Sequence, residues 1–233
     1  MRHDRVTALA AKAATSTIPI VFGVGDDPVR LGLVARPARP GGNLTGAIFA
    51  NEAVPKRLGL LHELVPKASR VAVLVNPRNS VVAETTLRDA QEAARLIELP
   101  IDILKASTSR EIEEAFATIM RERVEALFIG ADEYFASRRA QLLTLATRHG
   151  IATSYSDRNF PEAGGLMSYG TDLAEMYRQV GGYTGQILKG AKPAELPVVQ
   201  STKFEFAINL TTAKALGLTI PDTLLDTADE VIQ

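Results

Sequence analysis

The sequence predicts an α/β protein built on a parallel, doubly wound sheet, and three observations predict it. Short apolar runs rich in Val, Ile and Phe alternate with amphipathic stretches of roughly 10 to 18 residues, the pattern of βαβ units on a parallel sheet. Two of the runs, VAVLV at 71–75 and ALFIG at 126–130, contain no polar position, as expected of strands covered by helices on both faces. Only the stretch from about 52 to 170 holds enough strands for a sheet of its own. Residues 1–50 supply two strands and one helix, too few for an independent sheet, so either a first lobe has lost its opening strands or a partner chain completes it.

Each element has its own warrant. Residues 5–15 read as an alanine-rich helix. The basic start of the chain is only faintly like an export signal, because Lys12 breaks the apolar stretch before it reaches h-region length. Strands are expected at 18–22, 44–49, 71–75, 101–104, 126–130, 151–155 and 165–169. Helices are expected near 55–65, 80–97, 109–122, 134–148 and 173–189. Thr108 followed by Glu111 is a capping-box pattern, and His149-Gly150 is a helix stop. Residues 203–210 (KFEFAINL) alternate with period two, which predicts a half-exposed strand at a sheet edge. TTAKALGL then opens a short helix that Pro221 ends.

Composition narrows the functional classes. Of 233 residues, 46% are apolar, and the formal net charge of -1 asks for neither nucleic acid nor an anionic surface as partner. The absence of cysteine excludes disulfides, thiolate nucleophiles and thiolate metal ligands.

The catalytic and cofactor motifs fail one by one. Gly23-Val24-Gly25 follows a strand, but the third glycine of a dinucleotide loop would fall on Pro28. Gly185 to Lys192 ends a helix, whereas a phosphate loop must begin one. Ser168 in GLMSYG is one residue off a nucleophile elbow. His3, His62 and His149 are scattered without acidic partners, and no metal-ligand spacing occurs. The chain is therefore expected to be no enzyme, with neither cofactor nor metal.

What remains is a set of short polar side chains just after strands. Asp26-Asp27-Pro28 follows the first, Asn76-Pro77 and Asn79-Ser80 follow VAVLV, Asp132 follows ALFIG, and Ser154 to Asp157 end IATSY. Open parallel sheets bind ligands at the carboxyl ends of their strands. The candidate ligand-binding residues are therefore Asp27, Asn79, Ser80, Asp132 and Tyr155. Hydroxyl and helix N-terminal donors near Ser80 suit a carboxylate, and Asp132 or Asp27 suits an ammonium. Asp, Asn and Pro after strands are also plain turn formers and helix caps, so each residue has a bland reading beside the functional one.

Longer segments are more specific. DDPVRLGLVARPARPGGNLTG at 26–46, KRLGLLHELVPKASRVAVLVNPRNS at 56–80, SRRAQLLTLATRHGI at 137–151 and the stretch from EAGGLMSYGTD to IPDTLL at 162–225 resemble the ABC transporter substrate-binding family with tryptophan- and phenylalanine-binding members. The resemblance implies a type I periplasmic-binding-protein architecture of two doubly wound, Rossmann-like lobes, the first of them incomplete. Its first lobe would be 1–50 plus 171–200, lacking its opening βα units. Its second would be 51–170 plus 201–233, with hinge crossings near 49–52, 170–172 and 198–202. It further implies a solute, such as an amino acid, bound between the lobes and an ABC permease in the membrane as partner. Asp27-Pro28, the Asn76 to Ser80 loop and Asp132 match family positions, Asp132 being the one near the ligand amino group, while Tyr155 matches more loosely.

The same resemblance places the protein in the periplasm, although the N-terminus reads as truncated and without a signal, which would leave it in the cytoplasm if the start is real. The alternatives are a cytosolic ligand sensor of the same fold and, behind it, a doubly wound enzyme. The bare edge of an incomplete first lobe is expected to favour dimerisation.

Overall fold

A computed structural model describes residues 5–25, 27–49 and 54–233. In chain order the elements run α1 (Arg5–Ala14), β1 (Ile20–Val24), β2 (Leu44–Phe49), α2 (Val54–Leu64), β3 (Val71–Val75), α3 (Ser80–Leu96) and β4 (Ile101–Lys105). They continue with α4 (Ser109–Glu122), β5 (Ala126–Ile129), α5 (Glu133–Ser137), α6 (Arg139–His149), β6 (Ala152–Tyr155), α7 (Asn159–Glu162), β7 (Met167–Thr171) and α8 (Leu173–Leu188). The last are β8 (Val199–Ser201), β9 (Phe204–Asn209), α9 (Leu210–Ala215), α10 (Asp222–Thr227) and β10 (Glu230–Ile232). No described helix is long and apolar enough to cross a membrane.

The chain divides into two compact units. The first comprises 1–51 and 171–204, the second 52–170 and 205–233. The first unit holds a three-stranded sheet in the order β1-β2-β8, with both pairings parallel. Its core gathers Ala8, Phe22, Val24, Leu33, Val34, Leu44 and Val198. β1 and β2 approach so closely that a Cβ on Gly46 would lie 2.0 Å from the Phe22 carbonyl oxygen, which is why that position needs glycine. β8 was not expected from the sequence: it is three residues long and follows Pro197, so it carries no strand signal of its own.

The second unit is a seven-stranded sheet in the order β10-β9-β7-β6-β5-β3-β4. β3 and β5 are interior strands, each flanked by a strand on both sides, and are buried at every position, as their unbroken apolar runs require. One face packs Val71, Val73, Val75 and Phe128 beneath α2 and α3 residues such as Leu58, Leu61, Ala90 and Ala94. The other packs Ala72, Leu74, Leu127 and Ile129 beneath α4 and α6 through Ile112, Phe116, Leu142 and Leu145.

Three expectations are corrected here. Segment 203–210 is no edge strand: β9 lies between β7 and β10, and Phe206 through Asn209 are buried. The polar Glu205 that suggested a solvated face pairs instead with Arg158 at 2.6 Å, and Arg158 also reaches Glu230 of β10. The helix expected at 134–148 is two helices broken at Arg138, where Ser137 Oγ donates to the Tyr134 carbonyl at 2.7 Å and competes with the helical ladder. Pro221 does not end α9. Gly217, at φ +68°, turns the chain just past it, and Pro221 caps the start of α10.

Candidate functional site

The carboxyl ends of β3 and β5 converge on Asp132. β5 ends at Ile129, and Asp132 then caps α5, its Oδ1 accepting from the Tyr134 backbone N–H at 2.9 Å. The same Oδ1 accepts from Asn76 Nδ2 at 2.8 Å, and Oδ2 accepts from Asn79 Nδ2 at 3.0 Å. A carboxylate has about four acceptor positions, so these donors leave one, on Oδ2. Asn76 is itself fixed, because its Oδ1 accepts from the Arg78 N–H at 3.0 Å. The loop after β3 is thereby tied to the loop after β5 by side chains.

This tie changes the start of α3. Asn79 is its N-cap residue, yet its side chain makes no cap hydrogen bond, being turned toward Asp132. Ser80, the first helical residue, is exposed. A 17-residue helix therefore presents its first N–H groups beside an anchored carboxylate without a side-chain acceptor.

Asp27 and Tyr155 have local partners of their own. Asp27 belongs to the first unit and closes a local turn, its Oδ1 accepting from Val29 N at 2.8 Å and Arg30 N at 3.3 Å. Tyr155 is a core residue, 1% exposed and stacked on Phe160 at 4.1 Å between centroids. Thr153 Oγ1 donates to its hydroxyl at 2.8 Å, and burial raises its pKa above the usual phenol range. Its ring closes against Gly165, where a Cβ would lie 2.7 Å from Tyr155 Cε2. The ring lies in the hydrophobic core of the second unit. Ser168 lies inside β7, buried, and not on a strand-to-helix turn. A groove of about 810 Å³ between α4 and α6, lined by Glu113, Met120, Gln141 and Arg148 among others, holds none of the predicted residues.

One residue was missed by sequence reasoning. Arg57 of α2 is 2% exposed, and burial lowers its pKa from the ordinary value to about 9. Its Nη2 donates to the Ile129 carbonyl at 2.9 Å, and its Cζ lies 3.8 Å from the centroid of the Phe128 ring. Nε and Nη1 have no hydrogen-bond partner among the described residues. The signal was present: Arg57 falls on the i, i+3, i+4, i+7 stripe of Val54, Leu58 and Leu61 that buries this helix.

Comparison with known proteins matches residues 5–232 to the model of the ABC transporter substrate binding protein family. The chain belongs to this family. A tyrosine-binding protein of Clostridioides difficile is 28% identical over 216 residues, and the chain spans 61% of that protein's length. Among solved structures, an ABC domain from Streptococcus pneumonia in complex with L-Trp superposes with a TM-score of 0.84 at 27% identity, covering 98% of this chain and 76% of the other. A conserved domain protein of Vibrio cholerae gives 0.83 at 28%, covering 97% and 76%. The ligand-free, open structure of a substrate binding protein with adhesive properties from Clostridium difficile gives 0.70 at 25%, covering 98% and 76%. The architecture is that of type I periplasmic-binding proteins, and the family is one of binding proteins rather than enzymes.

Proposed function

We propose that the chain is the extracytoplasmic solute receptor of an ABC importer, that its solute is an aromatic L-amino acid, and that the loops after β3 and β5 hold the solute's charged end. The observation that carries this reading is the Asp132 cluster beside the start of α3. The free acceptor on Asp132 Oδ2 takes the ammonium, and the first N–H groups of α3, with the Ser80 hydroxyl, take the carboxylate. Support for the aromatic class comes from the relatives, one binding tyrosine and one crystallised with L-Trp. Loading then acts through binding energy: a solute that favours one conformation shifts the receptor population toward it, and an ABC permease reads that state.

Thermal melting with a panel of amino acids tests the reading. L-Tyr, L-Trp or L-Phe at 100 times Kd stabilises the protein by about 2.7 kcal/mol through mass action, whereas sugars leave the melt unmoved. A flat response to every amino acid in the panel sinks the proposal.

A further inference from the structure

We infer that Arg57 is a specificity-determining residue, a buried cation beneath the carboxyl end of β5 that makes the site prefer solutes bearing a carboxylate; this rests on the receptor reading above.

The inference stands on placement. The guanidinium is anchored by Nη2 to the carbonyl of Ile129, the last residue of β5, and flattened on Phe128 of the same strand. Asp132 is three residues further on, at most about 11 Å of extended backbone. The charge is out of water, with no carboxylate partner among the described residues. Ser154, which pairs with Phe128 in the β5–β6 register and shares its face of the sheet, is buried with its Oγ also unpartnered. A cation left in such a place acts on its surroundings at low effective dielectric, where its field falls off slowly with distance. It costs stability, and an apolar side chain of similar length would fill the same stripe position more cheaply.

Arg57 does not touch the solute, because its nitrogens are covered. It acts in two ways. The bond to Ile129 fixes where the strand stops and hence where Asp132 starts its helix. The field favours a negative group at the strand ends and opposes a second positive one. A zwitterion meets both charges, with its ammonium on Asp132 and its carboxylate in the field of Arg57. An amine without a carboxylate meets the repulsion alone.

Calorimetric titration of the full chain and its variants with L-tyrosine and with tyramine, its decarboxylated analogue, tests this. The readout is the ratio of the two Kd values. In the native protein tyramine binds more weakly. In Arg57→Met and in Arg57→Gln, both uncharged, the ratio falls by roughly tenfold, equivalent to about 1.4 kcal/mol. Thermal melts of each variant establish that it is folded. If Arg57→Met weakens both ligands by the same factor, the residue is structural and the inference is overturned. If the native protein binds neither L-tyrosine nor any other amino acid, the receptor reading falls instead, and this inference with it.

Discussion

Replacing Asp132 by alanine measures how far this carboxylate is structural and how far it is a ligand. In the folded protein it accepts three hydrogen bonds, from Asn76, Asn79 and the Tyr134 N–H. Loss of the helix cap costs about 1 kcal/mol. Each Asn bond to a charged acceptor is worth about 1.5 kcal/mol when fully buried. Asp132 and Asn79 are only half-buried, so the freed amides regain water and part of that is refunded. The expected loss of stability without solute is ~2–3 kcal/mol in urea unfolding, and Asp132→Asn, which keeps one acceptor oxygen, loses about half as much. Affinity is a separate measurement. L-tyrosine weakens by about 1.5–3 kcal/mol on loss of its ammonium partner, whereas the deaminated acid 3-(4-hydroxyphenyl)propionate is unaffected beyond what loop disorder costs. Stability within about 0.5 kcal/mol of the native protein would show that the two loops are not joined through this residue. Equal weakening of both ligands would remove the ammonium contact.

Arg57→Met leaves the protein as stable as before or up to ~2 kcal/mol more stable at pH 7. The fall of the Arg57 pKa to about 9 corresponds to ~5 kcal/mol against the buried charge, offset by ~2 kcal/mol of ring contact and about 1–3 for the orphaned Ile129 carbonyl. Between pH 9 and the ordinary arginine range the folded state holds fewer protons than the unfolded chain, so native stability rises with pH there, and urea unfolding of Arg57→Met lacks that rise. A variant destabilised by more than about 2 kcal/mol contradicts this. Gly46→Ala disrupts the first unit, because the new Cβ overlaps the Phe22 carbonyl. A loss of more than about 3 kcal/mol, or no soluble protein, is expected. The Asp172 carboxyl is held below its usual pKa by the Lys203 ammonium and the Glu175 N–H, so its stabilisation is present above the unfolded value near about 3.9 and is lost as pH falls below it. Melts of Asp172→Asn from pH 5 to pH 2.5 therefore fall less steeply than native ones, and parallel curves refute the assignment.

The α/β class and the order of strands up to β7 were legible because those elements carry strong local signals. VAVLV and ALFIG could only be buried, and Thr108 caps α4 as its pattern implied, accepting from the Glu111 N–H at 3.3 Å. Glu111 reaches back to Thr108 as a capping box requires, and its carboxylate extends one residue further, to the N–H of Ser107 at 2.6 Å and its hydroxyl at 2.9 Å. The illegible elements are those made by distant partners. Glu230–Ile232 becomes a strand only because β9 offers it an edge, and the buried face of β9 exists only once β10 is there. Asp132 stood out as a short acid after a buried strand, but its two asparagine partners, 56 and 53 residues away in sequence, are set by the β3–β5 pairing. Tyr155 reads from the sequence as a binding residue at the polar end of a strand. Within the core Thr153 satisfies its hydroxyl, which lets a polar sequence form a buried strand.

Arg57 and Asp132 together explain why the end of β5 is built as it is. A lone Asp132 would serve only as a cap for a five-residue helix, and a serine or asparagine caps as well without needing two amide donors to hold it. A lone buried guanidinium would be a cost without return. Placed within three residues of one strand end, they form a fixed pair of opposite charges that no ion pair cancels among the described residues, since Asp132 is held by asparagine and backbone donors and Arg57 by a carbonyl and a ring. Charges so held keep their fields available for something else. A small molecule carrying one charge of each sign would offset the cost of both, which is the physical content of proposing an amino-acid site at this end of the sheet.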